Sequence, residues 1–586
     1  MERTKSGIPV FKNVKEMMYN SLRLYKSNIA FTIKHKKDKK VEYENITYKN
    51  LLEDINNYGA SLYSMKIRPD ARVAIIGRNR YEWMVAHVAN LMGGMISVPL
   101  DKDLQIGELE DSLKRSKATV IVFDDKYLEL IKEIKERGNT SVETFICMDG
   151  TRAVQESEEE KELKKTINAV SMRSLMKTEH KKEKKEYTSY KVDGRKMSIL
   201  LFTSGTTSKS KAVMLSQEGI AVNIWDMLEI EGLKSTDTNI AFLPYHHIFG
   251  SVGQLVMLSN GIKTVFTDGL RYLKDNFKEY KVSVFVAVPL LVEKLYQGIL
   301  VGVKKKGKEK AFNFGRKLSG ALMKCKIDAR RKLFKDVLNE LGGELRLIIS
   351  GGAPLAKETA ESMEGIGITV EQGYGLTETS PVVAAENICK KKAGTIGVPL
   401  EHVEVKIVDQ DENGIGELCV KGPTVMLGYY EDKEATDAVL EDGWFHTGDL
   451  AKQDKKGFLT ITGRKKDVIV LKNGKKVFPD ELEFLVKKIP GVEEVFVYGR
   501  PDEEDENDLM VGVKIVYVKD TVKELYGDVD GSKLHEIFWE KIKEVNKTLP
   551  KYKYIKGLII TDIPLIKTTT NKVKRNEEIK LIMEQK

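Results

Sequence analysis

Short apolar runs recur along the chain and are separated by segments long enough for helices. The runs are rich in β-branched residues, as buried strands are, and they lie at residues 71–76, 96–100, 118–123, 197–202, 283–288 and 344–350. A helix is predicted at residues 81–92, between the first two runs. Strands that alternate with helices indicate a largely parallel, doubly wound sheet with helices on both faces. The pattern therefore predicts an α/β fold.

Two stretches break this alternation because charged residues dominate them. Residues 151–196 are dense in Glu and Lys, which predicts a solvated helix or a mobile surface excursion without chemistry. Residues 300–341 combine many Lys and Arg with scattered Phe, Leu and Met. This second stretch has two interpretations. It is either a solvated helical face that covers the core or, over residues 304–335, a basic amphipathic surface that contacts anionic membrane.

Length and composition narrow the class of protein. At 586 residues the chain exceeds one ordinary core and should form at least two domains. No apolar run is long enough to span a bilayer, and the N-terminus lacks the apolar core of a signal peptide. The four cysteines are far apart in the sequence, which fits reduced thiols rather than a disulfide framework. The net charge of +9 is too modest to predict a nucleic acid partner. We therefore expect a cytoplasmic protein, with peripheral contact at the inner membrane face if residues 304–335 bind lipid.

The stretch from residue 201 to residue 216 carries the first candidate chemistry. Apolar residues at 197–202 and 212–215 predict two strands, and the loop between them is rich in hydroxyl groups. Hydroxyls, backbone N–H groups and a lysine can together hold a phosphate chain. The residues concerned are Thr203, Ser204, Gly205, Thr206, Thr207 and Lys211. Alone, such a loop is often only a polar hairpin, and it is not a Walker A loop because no Gly-Lys-Ser/Thr opens a helix here.

This loop and four later motifs resemble those of the acyl-adenylate-forming (AMP-binding) superfamily, most of all its bacterial long-chain fatty acyl-CoA synthetases. The loop follows the pattern T-S-G-[ST]-T-G-x-P-K-G, except that Ser208, Ser210 and Ala212 replace Gly, Pro and Gly. The other matches are QGYGLTET at 372–379, GWFHTGD at 443–449, GRKKD at 463–467 and IKTTTNK at 566–572. The resemblance covers the chain from about residue 40 onward.

The resemblance implies that most of these motifs bind the nucleotide. It implies that the turn with Gly352, Ala353 and Pro354 lies against the adenine ring and that Tyr374 stacks on that ring. Gln372 and Gly373, in the same motif as Tyr374, are implied to bind the nucleotide. The residues that it assigns to phosphate, ribose and metal are Thr377 (phosphate), Asp449 and Arg464 (ribose), and Glu378 (Mg²⁺). These assignments agree with simple chemistry, since a carboxylate suits the hard Mg²⁺ ion and can also accept from two ribose hydroxyls.

The resemblance also implies reaction roles for a few residues. It assigns catalytic roles to Lys572, which would be the catalytic lysine, and to Thr206. It also places His247, as a third catalytic residue, in the acyl pocket near the reacting carboxylate. Lys466 would lie at the hinge about which the C-terminal domain rotates. A metal site at the adjacent His246 and His247 is the weaker interpretation, because neighbouring side chains face different directions.

Together these features predict two domains and one activity. Residues 1–464 should form a large N-terminal domain of doubly wound sheets with a small β subdomain, and residues 465–586 a small, mobile α+β C-terminal domain. The implied activity is ATP-dependent conversion of a long-chain fatty acid to acyl-AMP, then transfer to coenzyme A, with Mg²⁺ as cofactor. Two alternatives stay open: an acyl-carrier-protein acceptor, and a non-catalytic nucleotide or lipid binder on the same fold.

Overall fold

The computed structural model describes residues 7, 9–37, 40–149, 158–203, 210–387, 390–472, 474–501, 509–567 and 573–584. The chain divides into two compact units. The first comprises Met1–Thr203, Lys211–Glu404 and Val420–Phe445. The second comprises Ser204–Ser210, Val405–Cys419 and His446–Lys586.

Strands and helices alternate through most of the chain. The strands are β1 (Ile29–Lys37), β2 (Lys40–Thr47), β3 (Arg72–Ile76), β4 (Ile96–Leu100), β5 (Val120–Asp124), β6 (Thr144–Met148), β7 (Val170–Ser171), β8 (Met197–Thr203), β9 (Lys211–Ser216), β10 (Thr238–Ala241), β11 (Lys263–Phe266), β12 (Val284–Ala287), β13 (Leu347–Ser350), β14 (Thr369–Gly375), β15 (Val382–Ala385), β16 (Val398–Pro399), β17 (Glu404–Val408), β18 (Gly416–Lys421), β19 (Gly428–Tyr429), β20 (Leu440–Glu441), β21 (Trp444–Gln453), β22 (Leu459–Arg464), β23 (Ile469–Val470), β24 (Lys476–Val477), β25 (Val492–Pro501), β26 (Leu509–Tyr517) and β27 (Ile555–Thr561). The helices are α1 (Val14–Tyr25), α2 (Tyr48–Ser64), α3 (Tyr81–Met92), α4 (Ile106–Ser116), α5 (Leu128–Arg137), α6 (Glu158–Ile167), α7 (Met172–Lys177), α8 (Lys181–Ser189), α9 (Gln217–Ile230), α10 (Ile248–Ser259), α11 (Leu273–Tyr280), α12 (Pro289–Lys305), α13 (Glu309–Lys324), α14 (Arg330–Leu333), α15 (Lys335–Asn339), α16 (Lys357–Gly365), α17 (Lys433–Asp437), α18 (Pro479–Val486), α19 (Lys519–Tyr526), α20 (Gly531–Asn546) and α21 (Arg575–Glu584).

Two large sheets form the first unit. One has nine strands in the order β16-β15-β14-β13-β12-β10-β11-β1-β2, and the other has eight in the order β19-β9-β8-β4-β3-β5-β6-β7. The central strands of both sheets are parallel, and antiparallel strands lie at the edges formed by β2, β15 and β16, and by β9 and β19. Strands such as β3 and β5 are almost wholly buried, as their apolar runs predict. The predicted α/β class with doubly wound sheets is confirmed.

The described part of the charged stretch at 151–196 is helical and anchored. β7 pairs with β6 at the edge of the eight-stranded sheet. Tyr187 on α8 is fully buried and donates to the Ala89 carbonyl over 2.9 Å. A Cβ at Gly59 or Gly93 would lie within 2.7 Å of its ring, so two glycines make room for this anchor. The described part of the stretch therefore contains the three short helices α6, α7 and α8, which agrees with the helical interpretation, although α7 and Tyr187 of α8 are anchored in the core rather than solvated throughout.

The second unit contains most of a five-stranded sheet and a small α+β layer. The five-stranded sheet has the order β17-β18-β21-β20, with β22 beside β21. A three-stranded sheet follows in the order β25-β26-β27, and its buried core includes Val497, Val513 and Ile515 together with Phe538 of α20. Within the described part of either unit, no helix has the length and apolar character needed to cross a membrane.

Candidate active site

An antiparallel hairpin presents the hydroxyl-rich loop. β8 and β9 pair up to Thr203 opposite Lys211, and the Thr203 hydroxyl donates to the Lys211 carbonyl over 3.3 Å. Both predicted strands are therefore present. Four predicted site residues, Ser204, Gly205, Thr206 and Thr207, lie outside the described residues. The structure describes the two stems of the loop, Thr203 and Lys211.

Tyr429 links the loop lysine to the predicted metal ligand. Its hydroxyl donates to Glu378 Oε1 over 3.0 Å, and Lys211 Nζ lies 4.4 Å from the centroid of its ring. Tyr429 reaches this position because β19 pairs with β9, which sets Tyr429 opposite Val213. Burial and the Glu378 carboxylate raise the pKa of Tyr429, so its hydroxyl stays a donor at neutral pH. A cation, an aromatic ring and a carboxylate thus lie together at one end of the β8–β9 hairpin.

The predicted adenine-facing turns lie side by side. Gly352 begins an exposed turn, with one residue between it and the end of β13, and its φ of +86° is the left-handed conformation that favours glycine. β14 is parallel to β13, with Gln372 beside Ser350, so both strands end at the same edge of the sheet. Ligands of open α/β sheets bind outside such carboxyl ends. The exposed turn also contains Ala353 and Pro354, and the half-buried end of β14 contains Gly373 and Tyr374, with Thr377 just beyond it.

Two buried carboxyl groups lie beneath this edge. Glu386 accepts from the backbone N–H groups of Gln372 and Lys392, each over 3.2 Å, so it ties the adenine motif to a neighbouring loop. Burial raises the pKa of Glu386 to about 7 and that of the adjacent Glu371 to about 8. Glu386 therefore fixes the backbone of Gln372 through its hydrogen bond.

The paired histidines lie where the two large sheets of the first unit meet. His246 and His247 precede α10, and Asp101 follows β4. His246 Nε2 lies 3.3 Å from Asp101 Oδ1, and the two histidine ring centroids lie 4.3 Å apart. Burial, with a smaller contribution from His247, lowers the pKa of His246 to about 3. The expectation that these adjacent side chains face apart is wrong, because the turn before α10 brings both rings together.

The second unit contains the two predicted ribose-binding residues as an ion pair. Arg464 Nε lies 2.8 Å from Asp449 Oδ1, and the two residues face each other across β21 and β22. Asp449 is buried, whereas the Arg464 side chain is 40% exposed. Glu417 supports the turn before Asp449 by accepting from the Gly448 N–H over 3.1 Å and by pairing with Lys465 over 2.8 Å. Glu417 therefore fixes Gly448 and Lys465, the sequence neighbours of the two paired residues.

The described residues on either side of the predicted catalytic lysine are paired with each other and form the base of a hairpin. Lys567 bridges to Val573, and the Lys574 N–H donates to the Ile566 carbonyl over 2.8 Å. Glu578 is buried and accepts from the Ile566 N–H over 2.6 Å and from Lys514 Nζ over 2.9 Å. Lys572 itself lies outside the described residues. Lys466, the predicted hinge, is exposed on the short 3₁₀ turn that follows β22.

The family models match nearly the whole chain. Residues 25–430 match the model described as AMP-binding enzyme, and residues 466–582 match the AMP-binding enzyme C-terminal domain. The chain belongs to the AMP-binding enzyme family. It is therefore an adenylate-forming ligase by family, and the predicted membership is confirmed. The domain boundary predicted between residues 464 and 465 stays a prediction, as do the roles of the individual site residues.

Individual relatives agree with this family. Long chain acyl-CoA synthetase 2 of Arabidopsis thaliana is 28% identical over 500 residues, which cover 81% of this chain and 74% of the relative. A long-chain-fatty-acid–[acyl-carrier-protein] ligase of the same plant is 26% identical over 78% of this chain and 71% of its own length. The solved o-succinylbenzoate coenzyme A synthetase of Bacillus subtilis, in complex with ATP and magnesium ion, superposes with a TM-score of 0.68 at 21% identity. That likeness covers 96% of this chain and 98% of the other, and it shows the fold of an AMP-binding enzyme.

Sequence reasoning missed two residues of this AMP-binding enzyme that support the site. Tyr429 lies in an apolar and glycine-rich run, where an aromatic residue normally indicates core packing. Glu417 lies in β18, whose other residues are buried and apolar except for the terminal Lys421. A charged residue inside a buried strand is a signal in itself, because a buried carboxylate needs partners. Tyr429 gave no comparable signal.

Proposed function

We propose that this enzyme uses ATP to activate a long-chain fatty acid to acyl-AMP and then transfers the acyl group to coenzyme A. The observation that carries the proposal is the arrangement of Lys211, Tyr429 and Glu378 beside the loop stems. It combines a cation for phosphate with a carboxylate for a metal ion, as nucleotide adenylation requires. Family membership and the long-chain relatives support the substrate class.

The donor chemistry around Glu378 fits Mg²⁺. The ion prefers oxygen ligands and binds phosphates through one or two carboxylates while keeping several waters. Glu378 is half-buried, and one of its oxygens is oriented by the Tyr429 hydroxyl. When bound, Mg²⁺ neutralises charge on the phosphates. In this proposal Glu378 holds the ion, and ATP, Mg²⁺ and coenzyme A are the enzyme's small-molecule partners.

The chain's own residues then have distinct tasks. Lys211 and the loop residues that follow Thr203 bind phosphate oxygens, and Asp449 with Arg464 binds the ribose. His247 orients the fatty carboxylate for attack on the α-phosphorus, and pyrophosphate leaves. The domain at residues 465–586 then rotates about Lys466, so that the thiol of coenzyme A can displace AMP. No covalent enzyme intermediate is needed.

A substrate panel tests this function. Pyrophosphate release from ATP is measured with fatty acids of increasing length, and thioester formation is followed by mass spectrometry with coenzyme A or with an acyl carrier protein. We expect release with long chains and thioester formation with coenzyme A. Thioester formation with the acyl carrier protein alone would favour the carrier protein as the acceptor. The carrier protein is included in the test because one relative is a plant acyl-carrier-protein ligase. If the protein binds ATP but releases pyrophosphate with none of the fatty acids, the result would favour the non-catalytic binder.

We infer that Glu578 positions the segment that contains Lys572. Replacing Glu578 with Met removes the acceptor of the Ile566 N–H. We expect acyl-AMP formation to slow about tenfold or more, since small displacements of a catalytic group are costly. Thioester formation from supplied acyl-AMP should be spared. Both half-reactions are measured separately, with Glu536→Met as the control because its 2.9 Å pair with Lys533 is exposed.

Loss of stability is separated from loss of positioning by a double variant. Glu578→Met alone leaves the Lys514 ammonium buried without its carboxylate, which costs about 3–5 kcal/mol. Adding Lys514→Met removes that charge and should restore most of the stability. Acyl-AMP formation should stay slow in the double variant, because the Ile566 N–H still lacks its acceptor. Recovery of the rate together with the stability would contradict a positioning role.

We also propose that residues 304–335 contact anionic membrane. α12 and α13 pack residues such as Ile299 and Phe312 against the core, so part of their surface stabilises the fold. Away from these buried contacts, the stretch exposes large apolar side chains among lysines. They are Phe314 (67% exposed), Leu318, Met323, Ile327 and Leu333. Exposed apolar residues within a basic surface are typical of peripheral contact with anionic lipid.

Vesicle sedimentation tests this contact. We expect the protein to pellet with anionic vesicles more than with neutral ones, and pelleting should weaken as salt shortens the Debye length from about 10 Å at 0.1 M to about 3 Å at 1 M. Phe314→Glu should reduce pelleting severalfold, whereas Leu525→Glu is a control because Leu525 is exposed on α19 instead. Equal pelleting of both variants, or with both kinds of vesicle, would contradict the proposal.

A further inference from the structure

We propose that Asp101, His246 and His247 form a binding site for a divalent transition metal ion of the zinc class. Each residue offers one ligand atom, and the three atoms lie within 4.8 Å of one another. Two imidazoles and one carboxylate are a donor set that suits Zn²⁺ and its neighbours rather than Mg²⁺. This site is separate in chemistry from the Glu378 site, where oxygen alone is offered.

The distances fit an ion better than a hydrogen bond. Around a tetrahedral ion with bonds of about 2.0–2.1 Å, two ligand atoms lie about 3.3–3.4 Å apart. His246 Nε2 and Asp101 Oδ1 are separated by 3.3 Å, which is longer than the roughly 2.7–2.9 Å of a charged N–H···O bond. The third ligand atom lies within 4.8 Å, so a side-chain rotation of His247 or Asp101, both half-buried, would complete the triad.

A second observation on His246 points the same way. The residue is only 6% exposed, and Nδ1 is buried without a hydrogen-bond partner among the described residues. The other ring nitrogen, Nε2, is the atom that lies beside the Asp101 carboxylate. Buried polar atoms normally have partners, and among the described residues this imidazole has none at Nδ1 and only a long contact at Nε2, so hydrogen bonding does not account for its burial. An ion bound at Nε2 would give the ring a partner.

The backbone around the three donors is fixed in advance. The Asn79 side chain, after β3, donates to the Leu243 carbonyl over 2.7 Å and accepts from the Tyr245 N–H over 2.9 Å. The His247 N–H donates to the Pro244 carbonyl over 3.1 Å. These bonds lock the turn that precedes α10 against the loops of the other sheet. Little ordering is therefore left for an ion to impose, which favours binding.

Three protein ligands would leave one position of a tetrahedral ion open. Asp101 and His247 are half-buried, so the ion has a route to solvent. If His247 orients the fatty carboxylate, as in the proposed function, an ion bound to its ring removes that group from use. We therefore infer that Zn²⁺ inhibits the enzyme at this site, and this second part rests on the proposed function.

Metal binding is tested without substrates, so its result does not depend on the proposed function. Untagged protein is stripped with a chelator and titrated with Co²⁺, whose visible absorption reports four- or five-coordinate binding, and Zn²⁺ is then used to displace it. We expect one equivalent per chain. Asp101→Asn and His246→Gln should each weaken binding by about tenfold or more. Folding of each variant is checked by thermal melting.

A matched control uses another histidine with a carboxylate neighbour. His35 Nε2 lies 2.9 Å from Glu44 Oε2, and among the described residues this pair belongs to no three-donor group. His35→Ala should bind Co²⁺ as the wild type does. Loss of binding in His35→Ala, or unchanged binding in well-folded Asp101→Asn and His246→Gln, would overturn the site.

The inhibitory part has its own measurement. Zn²⁺ added at the concentration that fills the site should lower pyrophosphate release, and a chelator that takes Zn²⁺ but leaves Mg²⁺ should restore it. If Zn²⁺ binds to the triad while activity is unchanged, the inhibitory role is overturned and the metal site stands. If the enzyme releases no pyrophosphate with any acid, the proposed function fails and the Co²⁺ titration still decides the site.

Discussion

Lys572→Ala is expected to lower acyl-AMP formation by about three orders of magnitude while leaving thioester formation from supplied acyl-AMP nearly unchanged. The reason is electrostatic: a lysine that meets the α-phosphate contributes only while negative charge develops there. Removing one such preorganised donor typically costs a factor of about 10²–10³ in kcat. The second half-reaction displaces AMP with a thiol and makes no use of this lysine in the proposed cycle.

Both half-reactions are measured on the same preparation. Pyrophosphate release reports the first, and consumption of synthetic acyl-AMP with coenzyme A reports the second. Lys574→Ala is the control, because Lys574 lies just beyond the same hairpin base and pairs with Glu577 on the surface. An equal loss of both half-reactions in Lys572→Ala would rule out a role confined to adenylation. A loss in Lys574→Ala of similar size would assign the effect to the charge of the segment.

Buried strands are the part of the fold that the sequence predicts well. β3 and β5 are buried on both faces, so their residues form unbroken apolar runs that stand out from the surrounding chain. β2 is different, since six of its eight residues are exposed at the edge of the nine-stranded sheet and its sequence KVEYENIT has no such run. An edge strand owes its position to pairing with β1 rather than to burial, and single-sequence patterns do not reveal pairing.

The candidate site divides in the same way. Glu378, Asp449 and Arg464 lie in motifs whose spacing is local, so the sequence predicts them, and Asp449 and Arg464 do form a pair. Tyr429 acts on a residue 51 positions away through a strand pairing that no local pattern contains. The relation of His246 to Asp101 is likewise one of tertiary structure, because the two residues belong to loops from different sheets. Side-chain direction at adjacent positions is predictable inside a helix or strand, but not in the turn before α10.

Glu378→Gln should reduce the kcat of pyrophosphate release by roughly two orders of magnitude and raise the Mg²⁺ concentration needed for half-maximal rate. The amide keeps the size of the side chain and can still accept from the Tyr429 hydroxyl. It loses the anionic oxygen that a hard cation prefers, and the charge stabilisation that such an ion supplies is worth several kcal/mol, at about 1.4 kcal/mol per factor of ten. The site should therefore keep its structure while losing its metal.

Three variants separate this role from a structural one. Glu361→Gln is the matched control, because Glu361 is an exposed carboxylate that pairs with Lys357 along α16. Tyr429→Phe removes the hydroxyl that orients Glu378, so it should change the Mg²⁺ dependence in the same direction by less than Glu378→Gln does. Combining Glu378→Gln with Tyr429→Phe should cost little more than Glu378→Gln alone, because the tyrosine acts through the carboxylate. Full activity of Glu378→Gln at limiting Mg²⁺ would remove Glu378 from the metal site, and additive losses in the double variant would mean that Tyr429 acts on the nucleotide by itself.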